Sequence, residues 1–370
     1  MRRLVARQAL VKRSRQLGLP LGGETGPLNL ISDVPGVAVG MTTLVEPDRG
    51  IRTGVTALLP RPPEDLLTPW WAGISVLNGN GEMTGSHWIQ DAGWGQGPIL
   101  LTNTASVGIA HHAVVGWLAE RFRSRVNEEH LWLLPVVAET YDGVLNDIMG
   151  QHVHDEHVRA ALDQAAIGHF ELGSVGGGAG MIAYEYKGGT GSASRLLELP
   201  GGPYVLGVLV QANHGRREQF QVAGVPVGRM LGSGGVWSRQ ETGSIIVVIA
   251  TDAPLLPHQL QRIARRAGLG VGRLGAIGGN SSGDLFLALS TATPAPIAPP
   301  QPQAVQSLLA LTDSTLDVIY QAAVDATEEA VLDAMLLAGA APTFRPPGQI
   351  VPALDGRQLV ELLRSYSILP

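Results

Sequence analysis

The 370-residue sequence contains no cysteine. That absence excludes disulfides, thiolate nucleophiles and cysteine-ligated zinc. It leaves the compartment open, because a cysteine-free chain suits either side of a membrane. Charge is also scarce: Asp, Glu, Lys and Arg make up 16% of residues, against about 25% in an average globular protein. Much of the surface is therefore expected to be covered, by a thick core or by other subunits. The formal net charge of −6 offers no basic field, which excludes a general nucleic-acid binder. No apolar run reaches membrane-spanning length. The opening MRRLVARQALVKRSRQLG has no apolar stretch long enough for a signal-peptide core. The expectation is a cytoplasmic protein without membrane contact.

What is plentiful is glycine, 48 residues, and apolar side chains, 45%. Many backbone positions then need positive φ or close approach, as in a loop-rich α/β protein that forms homo-oligomers. Residues 1–17 carry Arg2, Arg3, Arg7, Lys12, Arg13 and Arg15 with no acid. We read residues 1–27 as a basic arm, solvated or packed on a subunit, ahead of a single domain over 28–370.

Strand-type runs punctuated by turns occur at 29–44, broken by Pro35–Gly36, and at 54–60, 70–85 and 130–143. A strand and then a long helix fill 99–126, with apolar positions near helical spacing, and a short helix covers roughly 154–165. GSVGGGAGMIAYEYKGG (173–189) reads as a glycine loop leading to a strand, and PYVLGVLVQANHG (203–215) as an apolar strand that stops at Asn213. A strand starts at Ser244 and is followed by a helix over roughly 258–267. Another strand lies within 277–292, a Pro-rich excursion at 293–303, and helices at 313–339 and 355–366. Strands and helices mix without a strict βαβ rhythm. Several strands are apolar on both faces, as strands between covering layers are. Stacked sheets with helices outside are the simplest arrangement.

One junction invites chemistry. Glu241–Thr242–Gly243 leads into Ser244, which opens the apolar run Ile245 to Ala250. A hydroxyl on the first residue of a buried strand is held rigidly at a sheet edge, and a preceding glycine lets the backbone strain toward it. That setting suits attack by the Ser244 oxygen on the Gly243 carbonyl, with release of a free Ser244 amine. An α-amino group has a pKa near ~7.7 and can act as base for its own hydroxyl. No G-x-S-x-G elbow surrounds Ser244.

GSIIVVIATDAPLLPHQL, NSSGDLFLAL and DATEEAVLDA resemble the L-aminopeptidase/D-esterase family, the DmpA-type and β-peptidyl aminopeptidases. ISDVPGVAVG, RTGVTALLPR, NGNGEMTG, TNTASVGIAHH, LPVVAETYDG, GSVGGGAGM and VLVQANHG match as well, in the family's order from about residue 29 to 338. The resemblance implies a four-layer α-β-β-α sandwich, similar to amino-terminal-nucleophile hydrolases but differently connected. It implies scission into residues 1–243 and 244–370, which stay together and assemble as oligomers of the processed pair. Short peptides, amides or esters with a free amino terminus are the implied substrates, some with β- or D-residues, and no cofactor is implied. By position, the nucleophile matches Ser244. The supporting serine and acid match Ser282 and Asp284, where some members carry Glu. The oxyanion asparagine matches Asn213. The pair that recognises the amine and assists at the oxyanion matches Glu139 and Tyr141.

These roles are chemically reasonable. Asn213 ends an apolar strand, where its amide can donate to an oxyanion. A carboxylate such as Glu139 at the end of a buried strand needs a partner, and a substrate ammonium is one. Period two puts Ser282 and Asp284 on one face. Alternatives remain. Related nylon-oligomer hydrolases use Thr where this chain has Ser. A metal hydrolase could use His152, His154 and His157, but their spacing is not H-E-x-x-H and does not share a helix face well. GSVGGGAG lacks the P-loop Lys-Ser/Thr and the Rossmann spacing.

Overall fold

The computed structural model describes residues 12–232, 243–294 and 307–370. Its strands are, in chain order, β1 (Ala38–Glu46), β2 (Ile51–Leu59), β3 (Trp70–Gly79), β4 (Trp94–Gly95), β5 (Ile99–Asn103), β6 (Val136–Thr140), β7 (Ile182–Ala183), β8 (Tyr186–Lys187), β9 (Gly189–Leu199), β10 (Gly202–Asn213), β11 (Ser244–Thr251), β12 (Gly283–Pro294), β13 (Ala341–Pro342) and β14 (Ile350–Val351). The α-helices are α1 (Ser86–Ala92), α2 (Val107–Arg121), α3 (Arg123–Glu128), α4 (Asp155–Asp163), α5 (Val227–Met230), α6 (Pro257–Arg273), α7 (Leu316–Leu336) and α8 (Gly356–Ser365). One sheet has the order β1-β2-β5-β6 and the other β4-β3-β12-β11-β10-β9, while β7–β8 and β13–β14 are small hairpins. Neighbours in both large sheets are antiparallel, except the parallel pairs β5/β6 and β11/β12.

Three apolar clusters define four layers. Leu58, Ile99, Leu101 and Val136 of the smaller sheet meet Leu209, Ile246, Val248 and Leu287 of the larger one. Val55, Ala57 and Leu100 meet Val114, Leu118, Val158 and Leu162 of α2 and α4. Val208, Ile245, Val247 and Ile249 meet Leu260, Ile263, Ala323 and Val331 of α6 and α7. The result is the expected α-β-β-α sandwich. Strand β11 shows why its sequence is apolar throughout: every residue is buried. Alternate side chains serve the inter-sheet core and the helix layer.

Strand β9 and helix α6 differ from expectation. Strand β9, GTGSASRLLEL, carries no strand signal over its Gly/Ser half. Its small residues instead let α7 lie against the backbone: a Cβ at Gly191 would come 1.8 Å from the Ala330 carbonyl oxygen. Helix α6 runs past its apparent end at Ala267 through Gly268, Gly270 and Gly272. A Cβ at Gly270 would meet Thr327 Cβ and the Val324 carbonyl oxygen, both at 2.7 Å, so close contact with α7 outweighs weak helix propensity.

The described part of the basic arm, residues 12–27, packs on α7. Arg13 Nε pairs with Asp333 Oδ2 at 2.6 Å, and Arg15 Nε with Glu329 Oε2 at 2.9 Å. Ser14, wholly buried, donates to Asp333 Oδ1 through both its amide and its hydroxyl at 2.7 Å. Glu329 also holds buried Arg195 at 2.8 Å. The rest of the arm (1–11), Glu241–Thr242 and the Pro-rich stretch from residue 295 lie outside the described residues.

Candidate active site

Ser244 is the first residue of β11, between two fixed neighbours. Across the antiparallel ladder it faces Asn213, the last residue of β10. Across the parallel ladder it faces Gly283, the first residue of β12. The Gly283 amide donates to Ser244 Oγ at 3.0 Å. A donor on this oxygen stabilises negative charge developing there and leaves the hydroxyl hydrogen free to be handed on. The residue before it must be glycine, since a Cβ at position 243 would come 2.0 Å from the Asn213 carbonyl oxygen. The scissile position expected from sequence is thus clamped against the β10 terminus.

Ser244 opens into a cavity of about 470 Å³ lined by Asn80, Thr104, Glu139, Tyr141, Val144 and Ser281 as well. Asn213 Nδ2 donates to the Tyr141 carbonyl at 2.9 Å, and its Oδ1 accepts the Ile182 amide at 2.8 Å. The carboxamide orientation is therefore fixed, with its donor end toward the Tyr141 side. The Tyr141 side chain, 38% exposed, forms part of the cavity wall. Ser282 is wholly buried and its hydroxyl donates to Asp284 Oδ1. The same carboxylate oxygen accepts the Ile245 amide at 3.2 Å. This ties Asp284 and Ser282 to the strand that carries Ser244.

Glu139 ends the apolar part of β6 and is buried. Its Oε1 accepts the Glu82 amide at 3.0 Å, and its Oε2 accepts the Thr104 hydroxyl. Burial raises its pKa above the ordinary carboxylate value, while those two bonds oppose the rise. Among the described residues it joins no ion pair, and no cationic side chain lines the cavity. A buried carboxylate without a cation is a place for a cationic ligand.

Among the described residues no imidazole lines the cavity either. His214 lies one residue beyond Asn213, so strand alternation turns it to the other face of the sheet. There its ring meets Tyr184 edge-on at 5.0 Å. Burial holds its pKa down at about 3, so it is neutral and packs as an apolar ring. His152, His154 and His157 lie about the start of α4, where His157 Nδ1 accepts the His154 amide at 3.0 Å. Among the described residues no group of three His, Asp or Glu side chains is placed to hold a metal ion. Residues 176–180 (GGGAG) form a buried helical turn, and a Cβ at Gly177 would come 2.1 Å from Gln211 Oε1.

The structure thus gathers Ser244, Asn213, Tyr141, Glu139, Ser282 and Asp284 at one end of the two sheets. It adds Thr104, Asn80, Ser281 and the Gly283 amide, which the sequence reading did not single out. Asn80 Nδ2 holds the Ser281 carbonyl at 2.7 Å. The sequence trace of Asn80 and Thr104 is that NGNG and TNTAS straddle the ends of strands β3 and β5.

A serine hydroxyl at the start of an interior strand, in a four-layer sandwich of this connectivity, defines a hydrolase of the amino-terminal-nucleophile type. The sequence profile of peptidase family S58 matches residues 29–346, and the chain belongs to that family. It is 44% identical over 377 residues to the β-peptidyl aminopeptidase BapA of Sphingosinicella microcystinivorans, covering 96% of this chain and 92% of that protein. The structure is similar to that of the L-aminopeptidase D-Ala-esterase/amidase of Ochrobactrum anthropi, with a TM-score of 0.91 and 48% identity over 97% of this chain and 99% of the other. A β-aminopeptidase from Burkholderia sp. gives 0.88 and 43% over 97% and 100%.

Proposed function

We propose that this aminopeptidase/amidase acts through Ser244 after severing its own Gly243–Ser244 bond, and that Glu139 receives the substrate's amino terminus. The observation that carries this reading is the position of Ser244 Oγ. It lines a cavity that holds no cationic side chain among the described residues, on the Gly283 amide, with the buried Glu139 carboxylate in the same wall.

In the precursor, Ser244 Oγ adds to the Gly243 carbonyl carbon. The C–N bond breaks, the proton passes to the departing Ser244 nitrogen, and an ester remains. Water then hydrolyses the ester and leaves residues 1–243 and 244–370. The freed α-amine, with a pKa near ~7.7, is half neutral at working pH and takes the Ser244 hydroxyl proton during turnover. Asn213 and Tyr141 face the developing oxyanion, and the Ser282–Asp284 pair steadies the new terminus. Water then releases the acyl group. The two pieces stay together because β11 keeps its ladders to β10 and β12.

Short peptides, amides or esters with a free amine are the substrates this arrangement suits, β- and D-aminoacyl compounds included, since the relatives' names cover those classes. The low charge content supports an assembly of several processed pairs. Denaturing electrophoresis with amino-terminal sequencing tests the proposal. Two fragments, the smaller starting at Ser244, are expected, together with one uncut and inactive band for Ser244→Ala. Activity in an uncut chain refutes it.

A further inference from the structure

The amine subsite does not consist of Glu139 alone. Thr104 follows β5 directly, and Thr102 and Asn103 pair with Glu139 and Thr140 in the parallel β5/β6 ladder. The backbone therefore fixes Thr104 beside the carboxylate. Its side chain lines the same cavity as Ser244 and donates its hydrogen to Glu139 Oε2. The other carboxylate oxygen is engaged by the Glu82 amide. A hydroxyl that has given away its hydrogen keeps two acceptor lone pairs. A substrate ammonium brings three N–H donors, and among the described residues no cationic side chain of the lining competes for these acceptors.

We propose that Thr104 is the second acceptor of the amine subsite: its oxygen takes one N–H of the substrate ammonium while its hydrogen holds Glu139. The subsite then reads the number of N–H groups on the amine as well as its charge. This rests on Glu139 binding the amine. It also makes Thr104 matter for protonation. The bond from Thr104 opposes the rise that burial imposes on Glu139, while the charge of Glu82, on the segment after β3, adds to that rise. Removing the hydroxyl raises Glu139 further, which a packing role for Thr104 would not do.

The test uses the mature enzyme with alanyl and β-alanyl p-nitroanilides, each as the primary amine and as its N,N-dimethyl form. The dimethyl form keeps the charge and loses two N–H donors. Wild type is expected to favour the primary amine by at least tenfold in kcat/KM. Thr104→Val should lose roughly 10- to 100-fold on the primary amine, mainly through KM. It should also narrow that preference and move the acid limb of kcat/KM to higher pH. Thr104→Ser should restore all three. Wild-type KM and an unmoved acid limb in Thr104→Val overturn the proposal, as does a wild type that accepts both amines equally. The second comparison stands even where the valine variant does not mature. Glu139→Gln separates the two readings. If it leaves turnover of the primary amine intact, the amine site itself is misassigned. If it abolishes that turnover while Thr104→Val changes nothing, only the role of Thr104 falls.

Discussion

Asn213 and Ser244 are cross-strand partners at the same end of β10 and β11. The Asn213 carboxamide is held at both ends, by the Tyr141 carbonyl and the Ile182 amide. The group proposed to face the oxyanion is thus immobilised before substrate arrives, which is what makes such a donor effective. Asn213→Ala is expected to lower kcat by roughly 10²–10³ and to slow maturation of the precursor. Steady-state kinetics and a time course of fragment appearance measure both, and a change under threefold in kcat would count against the role.

Gly243 has no room for a side chain against the Asn213 carbonyl. Gly243→Ala must displace one of the two backbones, so scission at this junction should slow by tenfold or more. Fragment yield over time reports it. Maturation at the wild-type rate would mean that the clamp is not needed for the cut.

A buried ion pair on α7 contrasts with an exposed one at the end of β1. Glu329→Ala leaves Arg195, 1% exposed, without its partner, and a loss of about 3–5 kcal/mol is expected. Arg49→Ala breaks a pair whose side chains are 62% and 51% exposed and should change stability by no more than about 1 kcal/mol. Urea unfolding of both variants gives the comparison, and similar losses would contradict it.

Asp142 follows Tyr141, is fully buried, and accepts Asn146 Nδ2 at 3.0 Å. Burial pushes its carboxyl up to about 7, above the value of about 3.9 in an unfolded chain. The folded state then binds the extra proton between those values, so this group's contribution to stability is full below about pH 4 and is lost as pH rises to about 7. Asp142→Asn should remove that slope. The difference in urea midpoint between wild type and variant, taken at pH 4.5 and pH 7, should shift in favour of the variant at the higher pH. A difference independent of pH would show that Asp142 titrates normally.

Much of this architecture is legible in the residues themselves. Continuous apolar runs such as Ile245 to Ala250 mark strands buried on both faces, and the Ala-rich register of α7 is plain. β9 and the end of α6 are not legible locally, because Gly191 and Gly270 take their meaning from α7, which lies far along the chain. The site shows the same division. Ser244 is visible as a hydroxyl opening an apolar strand after glycine. Glu139 and Asn213 stand out only at strand ends. Thr104 gives no sign of the role proposed for it, since its proximity to Glu139 comes from the β5/β6 pairing. The choice between Ser281 and Ser282 likewise depends on which hydroxyl the turn directs toward Asp284.

The order β4-β3-β12-β11-β10-β9 places the two strands that follow Ser244 in the middle of their sheet, flanked by β3 and β10 from the preceding part of the chain. A polypeptide ending at Gly243 would have a slot two strands wide, with unsatisfied edges on both sides. The proposed self-severance would therefore follow assembly, as a checkpoint that only a finished sandwich passes.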